Sequence, residues 1–355
     1  MDKIEIVKRI ESMQFGTMPK GQLNKITDVA GVRVGHATLK NDNIQTGVTL
    51  VLPAEDNYFE RKCVASSYVI NGFGKSTGLI QIEELGQLES PIALTNTLNV
   101  GKVSDAVVDY MIQKCQSEGL EIKSFNPVIC ECNDSFLNDI ILRKVDSKMV
   151  YEAIYNANQN FEEGAVGGGR GMSCHQLKGG IGSASRLMHI DNQTFTLGVL
   201  VQANHGRLED LTIDSLKIGE AITNAYASPI APEPDKGSII VIMATDLPLS
   251  DRQLKRILKR STVGISRVGG HIGHGSGEIA IGFTTQNRIS TNINDSIITQ
   301  TQLNEQLMDI PFRAMIEATE EAIVHALLYS ESVRGYQGNS RMGLTDLIGM
   351  YRLSL

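Results

Sequence analysis

The sequence predicts an α+β protein in which stacked β-sheets are covered by helices. Short apolar segments rich in β-branched residues lie between glycine-rich turns, and this pattern indicates strands. Segments with apolar residues at helical spacing are interspersed among them and indicate helices. The run from Ile239 to Met243 is apolar at five consecutive positions, which is typical of a strand buried on both faces. Sheets and helices of this kind bury their apolar faces by packing in layers.

The N-terminal half contains one helix pattern followed by several strands. Apolar residues at helical spacing predict a short first helix through Ile4, Val7, Ile10 and Met13. Three strands bounded by Gly, Pro or Asn are then predicted at Val32–His36, Thr49–Leu52 and Val64–Ile70.

In the middle of the chain two helices have recognisable caps. Ser104 is a good N-cap for a helix that ends at Gly119, and Asp146 caps a second helix. Strands are predicted on either side of the second helix, from Pro127 to Cys132 and from Thr194 to Ala203.

The C-terminal part begins after a stretch rich in proline and alanine, Ala227 to Gly237, which is the one plausible boundary in the chain. After the strand that starts at Ser238, Ser250 to Gln253 forms a capping box that opens a helix. A strand from Ile279 to Phe283 follows, and Pro311 is expected to start a long helix.

The composition limits the partners and the location of the protein. Its 355 residues leave two lobes or one large layered domain open. The formal net charge of -7 argues against nucleic acid and anionic membranes as partners. No apolar run approaches the roughly 20 residues that cross a bilayer, and acids stand where a signal peptide needs bases. We therefore expect a cytoplasmic protein with neither a nucleic-acid nor a membrane partner.

Cysteine and histidine spacing predicts no metal site. The five cysteines are an odd number and are expected to be reduced thiols. Cys130 and Cys132 are separated by a single residue, and this spacing fits alternate positions of a strand better than a pair of zinc ligands. Four histidines raise the question of a metal site: His36, His205, His271 and His274. However, His271 and His274 have no nearby cysteine and no H-E-x-x-H partner.

Two glycine-rich segments are excluded as nucleotide sites, so no cofactor is expected. Residues 71–76 end like a phosphate loop, but Val69 stands where the first glycine of that motif belongs. The segment from Gly164 to Gly171 lacks the dinucleotide-binding spacing, and no predicted strand precedes it. A glycine turn accounts for the first segment, and either close backbone packing or the approach of a substrate accounts for the second.

Gly237 and Ser238 allow two interpretations. Either they form an ordinary turn at the mouth of a strand, or the chain is cut between them and Ser238 becomes a nucleophile with a free α-amine. Taken alone, the residues favour the ordinary turn. No G-x-S-x-G elbow offers a rival nucleophile, because His274 stands where the first glycine would be in the nearest candidate, around Ser276.

Blocks spread over the chain resemble the L-aminopeptidase/D-esterase family of self-processing serine aminopeptidases, which includes the β-peptidyl aminopeptidases. They occur in family order at Ile26–His36, Pro91–Thr97, Leu137–Ile140, Glu163–Gly169, Lys178–Gly182 and Gly237–Val241. The resemblance implies a four-layer αββα sandwich, similar to Ntn hydrolases but connected differently, formed by residues 1–355 as a single domain. It also implies self-cleavage into residues 1–237 and 238–355, and a homo-oligomer that is often a tetramer of the αβ unit.

A terminal Ser238 would combine nucleophile and base in one residue. A serine hydroxyl needs a proton acceptor before it attacks, and an α-amine with a reference pKa of roughly 7.7–8.0 is partly a free base at neutral pH. Gly237 suits the preceding position, since it places no side chain near the carbonyl that Ser238 must attack. The predicted substrate is a short peptide, an amino-acid amide or an ester.

The remaining site residues are implied by the resemblance. Ser276 and Glu278, two apart at a strand entrance, resemble the pair that holds the nucleophile and relays protons. Asn204 resembles the asparagine that stabilises the oxyanion, and Glu131 the glutamate that binds the ammonium of the substrate. Some relatives have an oxyanion-assisting tyrosine where this chain has Asn133, whose amide still donates but with a different reach.

Two other functions remain open. An N-terminal-nucleophile amidohydrolase or acyltransferase acting on a non-peptide amide would not require a free amine on its substrate. An unprocessed, non-catalytic relative would keep its full length and serve as a binding or structural subunit.

Overall fold

The computed structural model describes residues 3–225, 237–291 and 296–351. The strands in these ranges are β1 (Arg33–Lys40), β2 (Gln45–Leu52), β3 (Arg61–Gly72), β4 (Gln87–Leu88), β5 (Ile92–Asn96), β6 (Val128–Cys132), β7 (Ser173–Cys174), β8 (Leu177–Lys178), β9 (Gly180–Ile190), β10 (Gln193–Asn204), β11 (Ser238–Thr245), β12 (Gly277–Ser290), β13 (Val333–Arg334) and β14 (Ser340–Arg341). The helices are α1 (Lys3–Glu11), α2 (Leu79–Leu85), α3 (Val100–Ser117), α4 (Ser147–Tyr155), α5 (Ile218–Ala225), α6 (Asp251–Leu258), α7 (Ser261–Arg267), α8 (Asp309–Leu328) and α9 (Leu344–Tyr351). The predicted boundary segment lies outside the described residues, except for Gly237 at its end.

Two sheets form the centre of the fold. A four-stranded sheet has the order β1-β2-β5-β6, and a six-stranded sheet has the order β4-β3-β12-β11-β10-β9. Most neighbouring strands are antiparallel, but β5 with β6 and β11 with β12 are parallel. β11 therefore lies inside the larger sheet, bonded on one side to β10 and on the other to β12.

The layers are visible in how apolar side chains alternate along the central strand. Ile240 and Ile242 of β11 pack between the two sheets, in a core that also contains Leu94 of the smaller sheet. Val241 and Met243 point to the opposite side, into the core shared with α6, α7 and α8. The outer face of the smaller sheet is covered by α3 and α4. The predicted α+β class and its four-layer αββα arrangement are confirmed.

β11 is held tightly because all eight of its residues are buried. Full burial of an apolar side chain contributes roughly 1.5–3 kcal/mol, and this strand contains five large ones in succession. Its register fixes Ser238 opposite Asn204 in β10 and opposite Gly277 in β12. The predicted strand is therefore confirmed, with Ser238 as its first residue.

Several local predictions are also confirmed. The Asp146 side chain accepts a hydrogen bond from Met149 N at the start of α4, and Ser250 forms the predicted capping box at the start of α6. Gly119, just beyond the end of α3, is left-handed with φ 73°. Glycine is favoured there because side chains disfavour that conformation.

The predicted start of α3 at Ser104 is wrong. The helix begins at Val100, with Asn99 in the N-cap position, and Ser104 lies within its second turn. Val100 and Val103 are both buried against the smaller sheet, so tertiary packing extends the helix beyond the residue that is best suited to cap it. α8 likewise begins at Asp309, two residues before Pro311, which occupies its first turn.

The glycine-rich segment after α4 owes its composition to close packing, as predicted. A Cβ on Gly168 would lie 2.3 Å from Gln202 Oε1 and 2.6 Å from the Leu94 carbonyl oxygen. Contacts this short exclude a side chain unless the backbone moves. Over the described ranges, no helix is both long and apolar enough to cross a membrane.

Candidate active site

Ser238 opens into a cavity of about 600 Å³. The cavity lies where the ends of β6, β10 and β11 meet the glycine loop that precedes β12. Residues from all of these segments line it, among them Glu131, Asn133, Asn204, Gly237, Ser238 and His274. Four of the residues predicted for catalysis or substrate binding thus share one cavity, although they are spread over the chain from Glu131 to Ser238.

Gly237 fits against the backbone of β10 so closely that no other residue could replace it without a shift. A Cβ at this position would lie 1.8 Å from the Asn204 carbonyl oxygen and 2.6 Å from His205 Cα. The absence of a side chain is therefore required by packing as well as by access to the Gly237 carbonyl.

Ser238 is almost fully buried at the floor of the cavity. The Cys132 thiol contacts it from the smaller sheet, and burial raises the pKa of that thiol well above its ordinary value, although the hydrogen bond with Ser238 opposes the shift. A thiol that stays protonated is a poor nucleophile. The serine hydroxyl is therefore the stronger candidate for a nucleophile in this part of the cavity.

The side-chain amide of Asn204 is oriented by two hydrogen bonds. Its Oδ1 accepts from Ser173 N at 2.7 Å, and its Nδ2 donates to the Asn133 carbonyl at 3.1 Å. Because a backbone N–H can only donate, the first bond determines which atom of the amide is oxygen. The NH2 group has two donors, and one of them remains for an oxygen atom in the cavity.

Ser276 and Glu278 are in contact, as their spacing predicts. Both are buried, and the Ser276 hydroxyl donates a hydrogen bond to Glu278 Oε1. Gly277 lies between them and pairs with Ser238, so the two side chains flank the start of β11 from the parallel strand. Asn71 fixes the loop before them, since its Nδ2 donates to the carbonyls of Gly273, at 3.0 Å, and of Ser276.

Glu131 presents a carboxylate to the cavity near the end of β6. Its Oε1 accepts from Lys75 N at 3.0 Å, and its Oε2 accepts from the Thr97 hydroxyl. Over the described part of the chain no Lys, Arg or His forms an ion pair with it. Cys130 and Cys132 on either side belong to the core between the sheets, which confirms their prediction as alternate strand residues.

The contribution of Asn133 differs from the one predicted. Its backbone carbonyl, not its side chain, contacts Asn204, and its Oδ1 accepts from Ser135 N at 2.9 Å. Its side chain is exposed at the rim of the cavity. The residue therefore helps to orient the amide of Asn204, which the sequence prediction did not include.

Sequence analysis also missed the residues on the far wall. The guanidinium carbon of Arg341 lies 3.8 Å from the centroid of the Phe136 ring, and its Nε donates to Ser173 Oγ at 3.2 Å. Thr97 and Lys75, which hold Glu131, were likewise not identified as site residues. No local motif signals these residues, because they meet the site only through the tertiary fold.

A second cavity of similar size, about 620 Å³, contains none of the predicted site residues. It is lined by Lys20, Lys25, Glu163, His325 and Tyr329, among others. Its charges already face one another: Glu163 lies 3.6 Å from both Lys25 Nζ and His325 Nδ1. The cavity at Ser238 is the better candidate, because a nucleophile, an amide donor and a carboxylate converge there.

Comparisons with known proteins agree with the predicted family. Residues 24–341 match the profile of peptidase family S58. The chain is 38% identical over 342 residues to the β-peptidyl aminopeptidase BapA of Sphingosinicella xenopeptidilytica, a match that covers 89% of this chain and 83% of that protein.

Solved structures share the whole fold. A protein from Pyrococcus horikoshii OT3 superposes with a TM-score of 0.90 at 42% identity, covering 98% of this chain and 97% of the other. The L-aminopeptidase D-Ala-esterase/amidase of Ochrobactrum anthropi superposes with a TM-score of 0.86 at 32% identity, covering 95% and 96%. The latter is described as a new variant of the Ntn hydrolase fold, and the predicted Ntn-like architecture is thereby confirmed.

Proposed function

The chain belongs to peptidase family S58, and from this premise we propose that it is a self-processing serine aminopeptidase. It cuts its own Gly237–Ser238 bond and then uses Ser238, with the α-amine released by the cut, to remove N-terminal residues from short peptides, amino-acid amides or esters. The observation that carries the proposal is the cavity shared by Ser238, Asn204 and Glu131, with Ser276 and Glu278 beside it.

Self-cleavage would begin with attack of Ser238 Oγ on the Gly237 carbonyl carbon. The C–N bond breaks, the acyl group moves to oxygen as an ester, and the nitrogen becomes the α-amine of Ser238. Water then hydrolyses the ester and leaves a carboxylate on Gly237. The close packing of Gly237 against Asn204 and His205 supports this step, because it holds the carbonyl in one position.

The two fragments would remain together after cleavage. β11, which starts the second fragment, is hydrogen-bonded to β10 of the first fragment and to β12 of its own. Its apolar residues are buried on both faces, so separation would expose the centre of the protein.

In turnover, the α-amine would accept the proton of Ser238 Oγ as the oxygen attacks the substrate carbonyl. The second donor of Asn204 Nδ2 would stabilise the oxyanion, a contribution typically worth roughly 2.7–4 kcal/mol. The leaving group takes the proton, and water hydrolyses the acyl-enzyme. The contact between Ser276 and Glu278 would hold the hydroxyl and amine of Ser238 in place.

Glu131 would make the enzyme an aminopeptidase. Among the described residues its carboxylate is held by neutral donors alone, so the free ammonium of a substrate would supply the missing positive charge. An internal peptide bond has no such charge and would bind less well. The relative from Sphingosinicella is named for β-peptides, and a substrate panel should therefore contain α- and β-aminoacyl amides.

Intact mass spectrometry of the purified protein tests the proposal. We expect two fragments, residues 1–237 and 238–355, from the wild type and one uncut, inactive chain from Ser238→Ala. The exposed Ser266 offers a matched control, and Ser266→Ala should be cut and active. A single uncut chain that hydrolyses aminoacyl amides would contradict the mechanism.

N-acylated substrates separate this function from that of a general amidohydrolase. If the free amine is required, acetylation of an aminoacyl amide should abolish turnover. Equal turnover of both forms would show that Glu131 does not bind an ammonium and would favour an amidohydrolase instead.

A further inference from the structure

Cys174, His175 and His205 form a buried cluster behind the wall of the catalytic cavity. Each has a potential ligand atom, and the three atoms lie within 4.8 Å of one another. All three residues are nearly or completely inaccessible to solvent. Among the described residues, this is the group of sulfur, imidazole and carboxylate side chains whose spacing suits a metal ion.

We propose that Cys174, His175 and His205 bind one Zn²⁺ ion. A thiolate and two imidazoles are ligands that zinc prefers, and three protein ligands leave the fourth position of a tetrahedral ion for another group. The proposal concerns residues that do not take part in the peptidase chemistry described above, so it stands or falls independently of that function.

The distance between the thiol and one imidazole is close to that in a tetrahedral site. Cys174 Sγ and His205 Nδ1 are 3.9 Å apart. In a zinc site with a Zn–S bond of about 2.3 Å and a Zn–N bond of about 2.0 Å, the two ligand atoms are separated by roughly 3.5 Å. Side-chain rotations that move each of these atoms by a few tenths of an ångström would therefore bring both into coordination range.

His175 is oriented as metal-binding histidines usually are. Its Nδ1 lies 2.9 Å from the Arg207 carbonyl oxygen, which can only accept a hydrogen bond. Nδ1 therefore carries the proton, and Nε2 has the lone pair that a metal requires. Donation from the second ring nitrogen to a carbonyl is the common way of fixing a ligating imidazole.

His205 presents its Nδ1 to the cluster. That nitrogen faces the Cys174 thiol, and the whole residue is nearly inaccessible to solvent. A thiol beside a buried imidazole nitrogen is a combination of ligand types that zinc prefers.

His175 lies in a turn with left-handed backbone. His175 and Gln176 form the two-residue turn between β7 and β8, with φ of 50° and 58°. Such turns favour Asn and Gly, because other residues disfavour left-handed backbone. His175 N also donates to the His205 carbonyl at 2.7 Å, which holds the turn against the end of β10.

A bound ion would brace the oxyanion donor. His205 follows Asn204 directly in the chain, and Cys174 follows Ser173, whose N–H orients the Asn204 amide. Coordination of Cys174 and His205 would therefore link the two segments that position this amide. Sequence analysis considered His205 for a metal site but missed its partners, which lie about thirty positions away in the chain. His271, which it also considered, is exposed and faces Asp210 at 3.4 Å.

Metal binding can be tested on the full-length protein after treatment with a chelator. We expect one Co²⁺ per chain with a thiolate-to-cobalt absorption band in the near ultraviolet, and its displacement by one equivalent of Zn²⁺. Cys174→Ser and His175→Asn should each weaken zinc binding at least 100-fold. Cys63→Ser, at another buried thiol, and His189→Asn, at an exposed histidine, are the matched controls and should bind as the wild type does.

X-ray absorption spectroscopy of the zinc-loaded wild-type protein, at the zinc edge, tests the proposal even if a variant fails to fold. One sulfur and two imidazole ligands are expected. No stoichiometric binding, a cobalt spectrum without the thiolate band, or a shell of nitrogen and oxygen alone would each overturn the proposal.

Discussion

Buried carboxylates in two regions of this protein have their negative charge compensated in different ways. Between β9 and α8, Glu317 and Glu321 face the guanidinium of Arg186 at 3.2 and 2.7 Å. We call these three residues, together with His325, the ion-pair cluster. In the cavity at Ser238, Glu131 is held instead by a backbone N–H and a hydroxyl, and no cation of the described chain pairs with it.

The difference separates a structural use of buried charge from a functional one. A carboxylate that faces a guanidinium has its charge balanced within the protein, and removing either partner leaves the other buried and uncompensated. A carboxylate held by neutral donors is fixed in position but keeps its attraction for a cation from outside. The first arrangement stabilises the fold, whereas the second suits the recognition of a substrate ammonium.

The largest expected effect comes from breaking the ion-pair cluster. Arg186→Met leaves two buried carboxylates without their guanidinium and should lower the free energy of unfolding by about 3–5 kcal/mol. Chemical denaturation measures this loss. Arg256→Met, at a partly exposed arginine that pairs with Glu305, is the control and should cost less than about 1 kcal/mol. Equal losses in the two variants would contradict a structural role for the cluster.

The second-largest effect is expected from replacing Asn204, the proposed oxyanion donor. Asn204→Ala is expected to reduce kcat about 10²–10³-fold, or roughly 2.7–4 kcal/mol, because one donor to the oxyanion is lost. Asn133→Ala is a sharp control, since it keeps the backbone carbonyl that contacts Asn204 and should change kcat less than about 10-fold. Steady-state kinetics on an aminoacyl amide distinguish them. A larger loss in Asn133→Ala would mean that the Asn133 side chain supports the oxyanion after all.

Replacement of Glu131 should have the opposite consequences from Arg186→Met: activity falls and stability is kept. Glu131→Gln should lower kcat/KM for free-amine substrates about 10–150-fold, corresponding to the roughly 1.5–3 kcal/mol of a charged hydrogen bond. Its melting temperature should stay the same or rise, since no cation loses a partner. A drop in stability similar to that of Arg186→Met would remove the distinction between the two groups.

The contrast between these regions also shows what the sequence could predict. β11 was predicted because its apolar run needs no partner to be recognised, and Ser276 with Glu278 because period two places them on one face. β9 was not predicted. Its residues Ser183, Ser185 and Arg186 are polar but buried. Ser185 and Arg186 have partners in the N-terminal segment and in α8, 131 or more positions away.

The residues of the candidate site were likewise hidden from local sequence patterns. Asn204 and Glu131 were assigned by resemblance to a family, because nothing local to either residue reveals that both approach Ser238. The backbone carbonyl of Asn133 and the N–H of Ser173, which orient Asn204, have no side-chain signature at all. Backbone donors and acceptors of this kind are determined by the register of strands and turns, which local patterns leave open.

The smallest effect concerns the pH dependence of the ion-pair cluster. Burial lowers the pKa of His325, but the hydrogen bond and charge of Glu163, together with the charge of Glu321, outweigh it and raise the pKa above its ordinary value. A histidine whose pKa is raised by folding stabilises the protein at pH values below its unfolded pKa of about 6.5. That contribution is lost as the pH rises through the higher, folded pKa.

His325→Gln removes this contribution while keeping a donor for the Ser183 carbonyl, which His325 Nδ1 contacts at 2.7 Å. The wild type should therefore be more stable than the variant at acidic pH, by on the order of 1 kcal/mol, and the difference should shrink as the medium becomes alkaline. Denaturation series at several pH values measure it, with His189→Gln at an exposed position as the control. A difference that grows with pH would mean that His325 is held neutral, and the cluster would then contain one cation fewer than its geometry indicates.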